Sequence, residues 1–296
     1  RAPETYAYAA TLSRKKDRVA EKLEALLINV GEAMNETLFE RTHSTVFASA
    51  TLAVDDKFDA FESALGLNAS EHSTCQMCKL DSSYDFDAHM TVYVASDMPE
   101  PNEAAYLAAL QRLLVDVHRA QNGSMLTLFT NRREMERCFD EVQPQLKVDD
   151  LRVVCQKWGV SVKGLRDDFL ADEHLSLFAL KSFWEGFECF RALRSRVVSS
   201  QAQPSPEPTD PCLCDRAARD DQAWRRYVLP AAVLETKQAA GRLIRKADDT
   251  GVLILADRRL LTKSYGKAFL NSLPSRTIKV MTAAEIVSDL ERSNNG

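Results

Sequence analysis

The sequence predicts an α/β domain in which a mostly parallel sheet is covered on both faces by helices. Short runs such as Met125–Phe129, Ser176–Leu180 and Val252–Ala256 are apolar along their length, as strands buried on both faces are. Amphipathic helical patterns alternate with those runs, which is the rhythm of βα units. Ligands in such folds gather at the carboxyl ends of the strands and in the loops that follow them.

Taken in order, residues 14–30 are expected to form an amphipathic helix, with Val19, Leu23, Leu26, Leu27 and Val30 on one face. A β-rich run, Thr45–Ser49, leads into Ala50-Thr51-Leu52, and residues 56–64 read as a helix that Gly66 ends. Residues 67–90 are polar and irregular and contain Cys75-Gln76-Met77-Cys78. A CxxC can be half of a zinc site or a redox motif, but zinc takes about four ligands. His72 and His89 are the only close candidates, so two surface thiols and no metal site are expected.

Thr91–Ala95 reads as a strand, and residues 102–120 as a helix with Tyr106, Leu110, Leu113, Leu114 and Val117 on one face. The strand Met125–Phe129 is followed by Thr130, Asn131 and a charged helix over 132–144. Arg152–Cys155 and Ser176–Leu180 are further strands, with a helix over Val162–Ala171 between them. Ser195–Ser199 is another strand candidate, and the proline-rich residues 201–211 an extended loop. A helix at 231–247, a turn at Asp248–Gly251, the strands Val252–Ala256 and Thr277–Met281, and a helix over Ala283–Arg292 complete the chain. Lys181–Gly186, Thr130-Asn131 and Asp257 each follow a predicted strand, so they are expected to converge on one edge of the sheet.

The formal net charge of -5 excludes a generally basic coat, so any contact with nucleic acid must come from local patches. No run of 18 apolar residues occurs, so no membrane contact is expected. Seven cysteines point to reduced thiols and a cytoplasmic setting. The chain begins at Arg1 directly in a polar pattern and is expected to be a fragment of a longer protein.

The densest chemistry lies in Lys237–Arg245. On a helix, Gln238, Arg242 and Arg245 fall at i, i+4 and i+7 and share a face. One amide and two guanidinium forks suit a phosphate group, although a solvated basic face has the same spacing. Gly241 within a helix costs roughly 1 kcal/mol relative to alanine, which calls for close approach of another backbone or of a ligand.

These residues and their order resemble the C-terminal half of DinG-type, XPD-like superfamily 2 DNA helicases. Ser49-Ala50-Thr51 looks like the Ser-Ala-Thr motif, Leu126–Asn131 like motif IV, Ser182–Gly186 like motif V and Gln238–Arg245 like motif VI. Pro208–Pro211, Asp248, Gly251, Ala256–Arg259 and Tyr265-Gly266 continue the pattern, which covers about residues 40–275. The resemblance implies a RecA-like three-layer fold. Residues 1–52 would be the tail of an inserted helical region and the end of a first RecA-like domain, and residues 53–296 the second. Arg242 and Arg245 would be arginine fingers, with Gln238, Gly241, Glu185 and Gly186 at the ATP. Ser49, Thr51, Thr130, Asn131 and Trp184 would contact single-stranded DNA or couple it to the nucleotide, with Trp184 either a base-stacking platform or a core anchor, and movement would run 5′ to 3′.

No Gly-Lys-Ser/Thr loop or Asp-Glu-Ala-His box is present, and Gly266-Lys267-Ala268 lacks the hydroxyl. ATP and Mg²⁺ are therefore expected to be held mainly by a missing first domain of the same polypeptide, and the chain alone to be inactive. Cysteines 75, 78, 138, 155, 189, 212 and 214 do not reproduce the four-cysteine iron–sulfur pattern of some family members. Residues 187–207 depart from the family pattern, which favours an alternative: a non-catalytic RecA-like nucleic-acid or protein interaction module.

Overall fold

A computed structural model gives the architecture and describes residues 5–15, 18–67, 74–157, 159–180, 183, 194–199, 222–244 and 246–295. The chain divides into two units, residues 1–80 with 204–234, and residues 81–203 with 235–296.

In the first unit, β1 (Tyr6–Lys15) and β2 (Arg18–Leu27) form an antiparallel hairpin. This corrects the helix expected over residues 14–30, and with it the N-terminal helical segment. Val19, Leu23, Leu26 and Leu27 do fit a helical period, but the run before them supplies a partner of period two. The register sets Tyr6 opposite Leu27, Tyr8 opposite Ala25 and Ala10 opposite Leu23. Cross-strand pairs of this kind are the unit of ladder stability. Helix begins only at α1 (Gly31–Thr37).

The expected strand Thr45–Ser49 lies outside any strand, and Val46 is 88% exposed. A β-branched run forms a strand only where a second strand offers a ladder, and none does so among the described residues. α2 (Asp59–Leu65) ends at Gly66 as expected, in the left-handed conformation (φ 67°). A Cβ on Gly66 would lie 2.9 Å from Gly31 Cα, so the cap also has to be small.

Along the chain the next elements are α3 (Phe86–His89), β3 (Met90–Ala95), α4 (Tyr106–Ala120), β4 (Met125–Phe129), α5 (Arg132–Val148), β5 (Val153–Cys155), α6 (Val162–Ala171) and β6 (Ser176–Leu180). Then come β7 (Arg194–Ser199), α7 (Leu229–Gly241), β8 (Thr250–Leu255), α8 (Arg259–Thr262), α9 (Gly266–Ser272), β9 (Ile278–Met281) and α10 (Ala283–Asn295). The second unit holds a seven-stranded sheet in the order β5-β6-β4-β7-β8-β3-β9, parallel throughout. Successive residues Val92, Tyr93, Val94 and Ala95 are all at most 2% exposed, so the sheet is covered on both faces.

One face is filled by Leu110 and Leu114 of α4, Met135 and Val142 of α5, and Ile286 of α10, against Phe129 and Phe178 of the sheet. Each such side chain contributes about 1.5–3 kcal/mol on burial. After β4 the chain moves toward the β5 edge, whereas after β7 it moves to β8. The switch point therefore lies between the carboxyl ends of β4 and β7, where open α/β sheets form their crevice.

His118 of α4 is fully buried in this core. Its Nδ1 lies 2.6 Å from the Leu114 carbonyl and its ring 5.8 Å from that of Phe178, while Nε2 has no partner among the described residues. Burial pushes its pKa down to about 4. The folded state thus holds it neutral, while the unfolded chain protonates near pH 6.5. This contribution is complete above pH 6.5 and is lost as the pH falls toward 4. Stability should drop by about 2 kcal/mol between pH 7 and pH 5. Urea unfolding at the two pH values checks this, and His118→Leu should remove that part of the slope.

Candidate functional site

α7 brings Gln238 and Gly241 to the end of a helix. Ala239, Ala240, Leu243 and Ile244 are all buried, whereas Gln238 is exposed and Gly241 and Arg242 are half-buried. The apolar residues of this stretch thus anchor it to the domain and leave Gln238 exposed and Arg242 partly so. The helix stops at Gly241, not near residue 247 as expected. Arg242 N–H donates to the Ala239 carbonyl at 3.2 Å and Leu243 N–H to the Ala240 carbonyl at 3.1 Å, a 3₁₀-type tightening that ends the helix. The i, i+4, i+7 face therefore does not continue beyond Gly241. Arg242 sits in the turn, and Arg245 lies outside the described residues.

The turn closes on Asp249, which is 6% exposed and accepts from Lys246 N–H at 2.9 Å. Apart from its chain neighbours and its own helix backbone, no described heavy atom lies within 4 Å of a Cβ built on Gly241. Close approach of a described backbone is therefore not the reason for glycine there.

Thr130 and Asn131 follow β4 at the switch point. Thr130 is exposed, and Asn131 caps α5, its Oδ1 accepting from Arg133 N–H at 2.8 Å and Glu134 N–H at 3.4 Å. Trp184, Glu185 and Gly186 lie outside the described residues. In the other unit, Ser49 and Thr51 are joined through their hydroxyls at 3.3 Å, and Thr51 N–H donates to Ser49 Oγ at 3.3 Å.

Asp257, two residues beyond β8, is 1% exposed and held by Arg259, whose Nε and Nη2 each donate to one carboxylate oxygen at 2.9 Å. A bidentate pair of this kind fixes the loop after β8. Burial, with the neighbouring Glu134 and Asp257 carboxylates, raises the pKa of Tyr106 and keeps its phenol neutral.

Gln156 is a site residue that the sequence reading passed over. It is 6% exposed at the end of β5 and bonds to the last residue of β6. Its signal was a single amide directly after a predicted strand.

Cys75 and Cys78 are exposed free thiols. Among the described residues, no three His, Cys, Asp or Glu side chains assemble into a possible metal site, and no helix is long and apolar enough to cross a membrane. Cys189, Cys212 and Cys214 lie outside the described residues.

The model of a family described as the helicase C-terminal domain matches residues 114–276, more than half of the chain. The chain belongs to the helicase C-terminal domain family. It is 32% identical over 252 residues to the ATP-dependent DNA helicase YoaA of Escherichia coli (strain K12), covering 83% of this chain and 38% of that protein. It is 27% identical over 264 residues to the 3′-5′ exonuclease DinG of Bacillus subtilis (strain 168), covering 86% of this chain and 28% of that protein. A solved XPD helicase is similar at 19% identity and a TM-score of 0.48, covering 64% of this chain and 35% of that one. The chain thus spans less than two-fifths of the length of these relatives. This helicase C-terminal domain is of the DinG/XPD-like, superfamily 2 type, and its parallel sheet flanked by helices is the RecA-like fold of that type.

Proposed function

We propose that this chain is the second motor domain of an ATP-dependent DNA helicase, joined to the end of the first. The observation that carries the reading is the packing of the Gln238–Ile244 stretch. Its apolar residues are buried while Gln238 is exposed and Gly241 and Arg242 are half-buried, as suits a surface that completes a nucleotide site on another domain.

In this reading Arg242 and Arg245 stabilise charge on the transferring phosphoryl group. Gln238, Gly241, Glu185 and Gly186 meet the nucleotide. Thr130 and Asn131 grip the backbone of single-stranded DNA at the switch point, with Trp184, and Ser49 and Thr51 couple the two events. Residues 1–52 close the first RecA-like domain and residues 53–296 form the second. Movement runs 5′ to 3′, and the protein works in the cytoplasm. ATP and its Mg²⁺ are held mainly by the first domain of the same polypeptide, because this sequence carries neither a Gly-Lys-Ser/Thr loop nor an Asp-Glu-Ala-His box.

The test is ATP hydrolysis with and without single-stranded DNA. The 296 residues alone should show none, and a polypeptide that also carries the first motor domain should show hydrolysis that DNA increases. DNA-stimulated turnover by the 296 residues alone would overturn the reading.

A further inference from the structure

Gln156 does something unusual for a residue that ends an edge strand. β5 pairs with β6 in the register Val153–Ser176, Val154–Leu177 and Cys155–Phe178. The ladder runs one bond further, from Gln156 N–H to the Phe178 carbonyl at 2.9 Å. In a regular parallel ladder the next bond would run from Leu180 N–H to the main-chain carbonyl of residue 156. Here the side chain takes that bond, with Oε1 accepting from Leu180 N–H at 2.8 Å.

The main-chain carbonyl of Gln156 is thereby released, and it accepts from Arg132 Nη1 at 2.9 Å. Arg132 is the first residue of α5, directly after the Asn131 cap. One buried residue therefore joins the exits of three strands: β4 through its main-chain carbonyl and Arg132, β5 through its own backbone, and β6 through its side-chain amide and Leu180.

We infer that Gln156 is a positioning residue that holds the DNA-gripping turn after β4 in fixed register with the exit of β6. This rests on the helicase reading above. Thr130 and Asn131 immediately precede Arg132, and Glu185 and Gly186 follow Leu180 within six residues. A turn that grips DNA and a segment that senses nucleotide must keep one spacing if each is to report on the other. The β4–β6 ladder sets that register as far as Phe129 opposite Leu180, and the Gln156 link carries it past the last pair to Arg132, the residue after the Asn131 cap.

The experiment uses the polypeptide that carries the first motor domain, with an oligothymidine as probe. It measures the DNA concentration for half-maximal ATPase stimulation, the KM for ATP, and the melting temperature. Gln156→Met keeps the length of the side chain and removes the acceptor. It should raise the half-maximal DNA concentration about tenfold, or about 1.4 kcal/mol, with the KM for ATP within about twofold. Gln156→Glu restores an acceptor for Leu180 N–H and should return that concentration to within about threefold of wild type.

Arg132→Gln removes the other end of the link from a partly exposed site. It should act in the same direction, and its effect should not add to that of Gln156→Met. A merely structural role would lower the melting temperature and leave the half-maximal DNA concentration unchanged. That result in Gln156→Met, or in Arg132→Gln should the former fail to fold, overturns the inference. A wild-type protein without DNA-stimulated hydrolysis overturns the helicase reading itself, a separate outcome.

Discussion

Arg242→Ala and Arg245→Ala should each lower DNA-stimulated ATP hydrolysis by about 10³-fold in a polypeptide that carries both motor domains, while nucleotide still binds. The magnitude is that of removing an arginine finger, whose guanidinium meets charge spread over the phosphoryl oxygens only in the transition state. Arg242 lies one residue past the end of α7, between half-buried Gly241 and the buried pair Leu243 and Ile244. Those two side chains are each 2% exposed and fix the turn that carries the arginine. Truncating Arg242 leaves the Leu243–Ile244 anchor in place, so the domain should stay folded while turnover collapses. Lysine should not rescue, because a point charge cannot reproduce a planar fork. Steady-state hydrolysis and binding of a fluorescent nucleotide analogue separate the two quantities. Wild-type turnover in both alanine variants would sink the finger assignment.

The sheet was legible because its strands are buried on both faces. Val252–Leu255 and Met125–Phe129 read as continuous apolar runs for the same reason that they sit inside the sheet. The misreadings have local causes. Residues 18–27 satisfy a helical period and a strand period together, and only the partner run Tyr6–Lys15 decides between them. The pattern predicts a helix over 132–144, yet α5 runs on through Pro144 to Val148, because the fully buried Val142 and Leu146 hold it against the core on either side of the proline. The opposite error occurred after Gly241, where a favourable pattern through Arg245 suggested a helix that the chain ends in a 3₁₀ turn.

The candidate site was legible as motifs rather than as geometry. Asn131 stands out by its place in a motif, whereas its side chain caps α5. Gln156 carries no motif and shows its role only once β5 and β6 are side by side.

Gly266→Ala should destabilise the second unit by on the order of 3 kcal/mol or more, which lowers a melting temperature by roughly 6–12 °C for a unit of this size. A Cβ on Gly266 would lie 1.9 Å from the Leu260 carbonyl oxygen, 2.5 Å from its carbon and 2.8 Å from Leu260 Cα. All three are main-chain atoms of α8, so no side chain can swing aside to make room. The close approach follows from the tight turn between α8 and α9, in which Gly266 N–H donates to the Lys263 carbonyl at 3.0 Å. Relief would have to come from moving α8, whose first residue is the Arg259 that grips Asp257 after β8, or α9, whose Phe269 is 1% exposed. Either movement opens the core or breaks a buried ion pair. Gly164→Ala is the control: a Cβ there meets Ser161 Cβ at 3.6 Å, an ordinary contact, and should leave stability unchanged or slightly raised. Thermal unfolding of the two variants beside wild type decides it. A Gly266→Ala protein that melts with wild type would mean that the α8–α9 turn can widen without loss, and that the Tyr265-Gly266 pair is not held by packing.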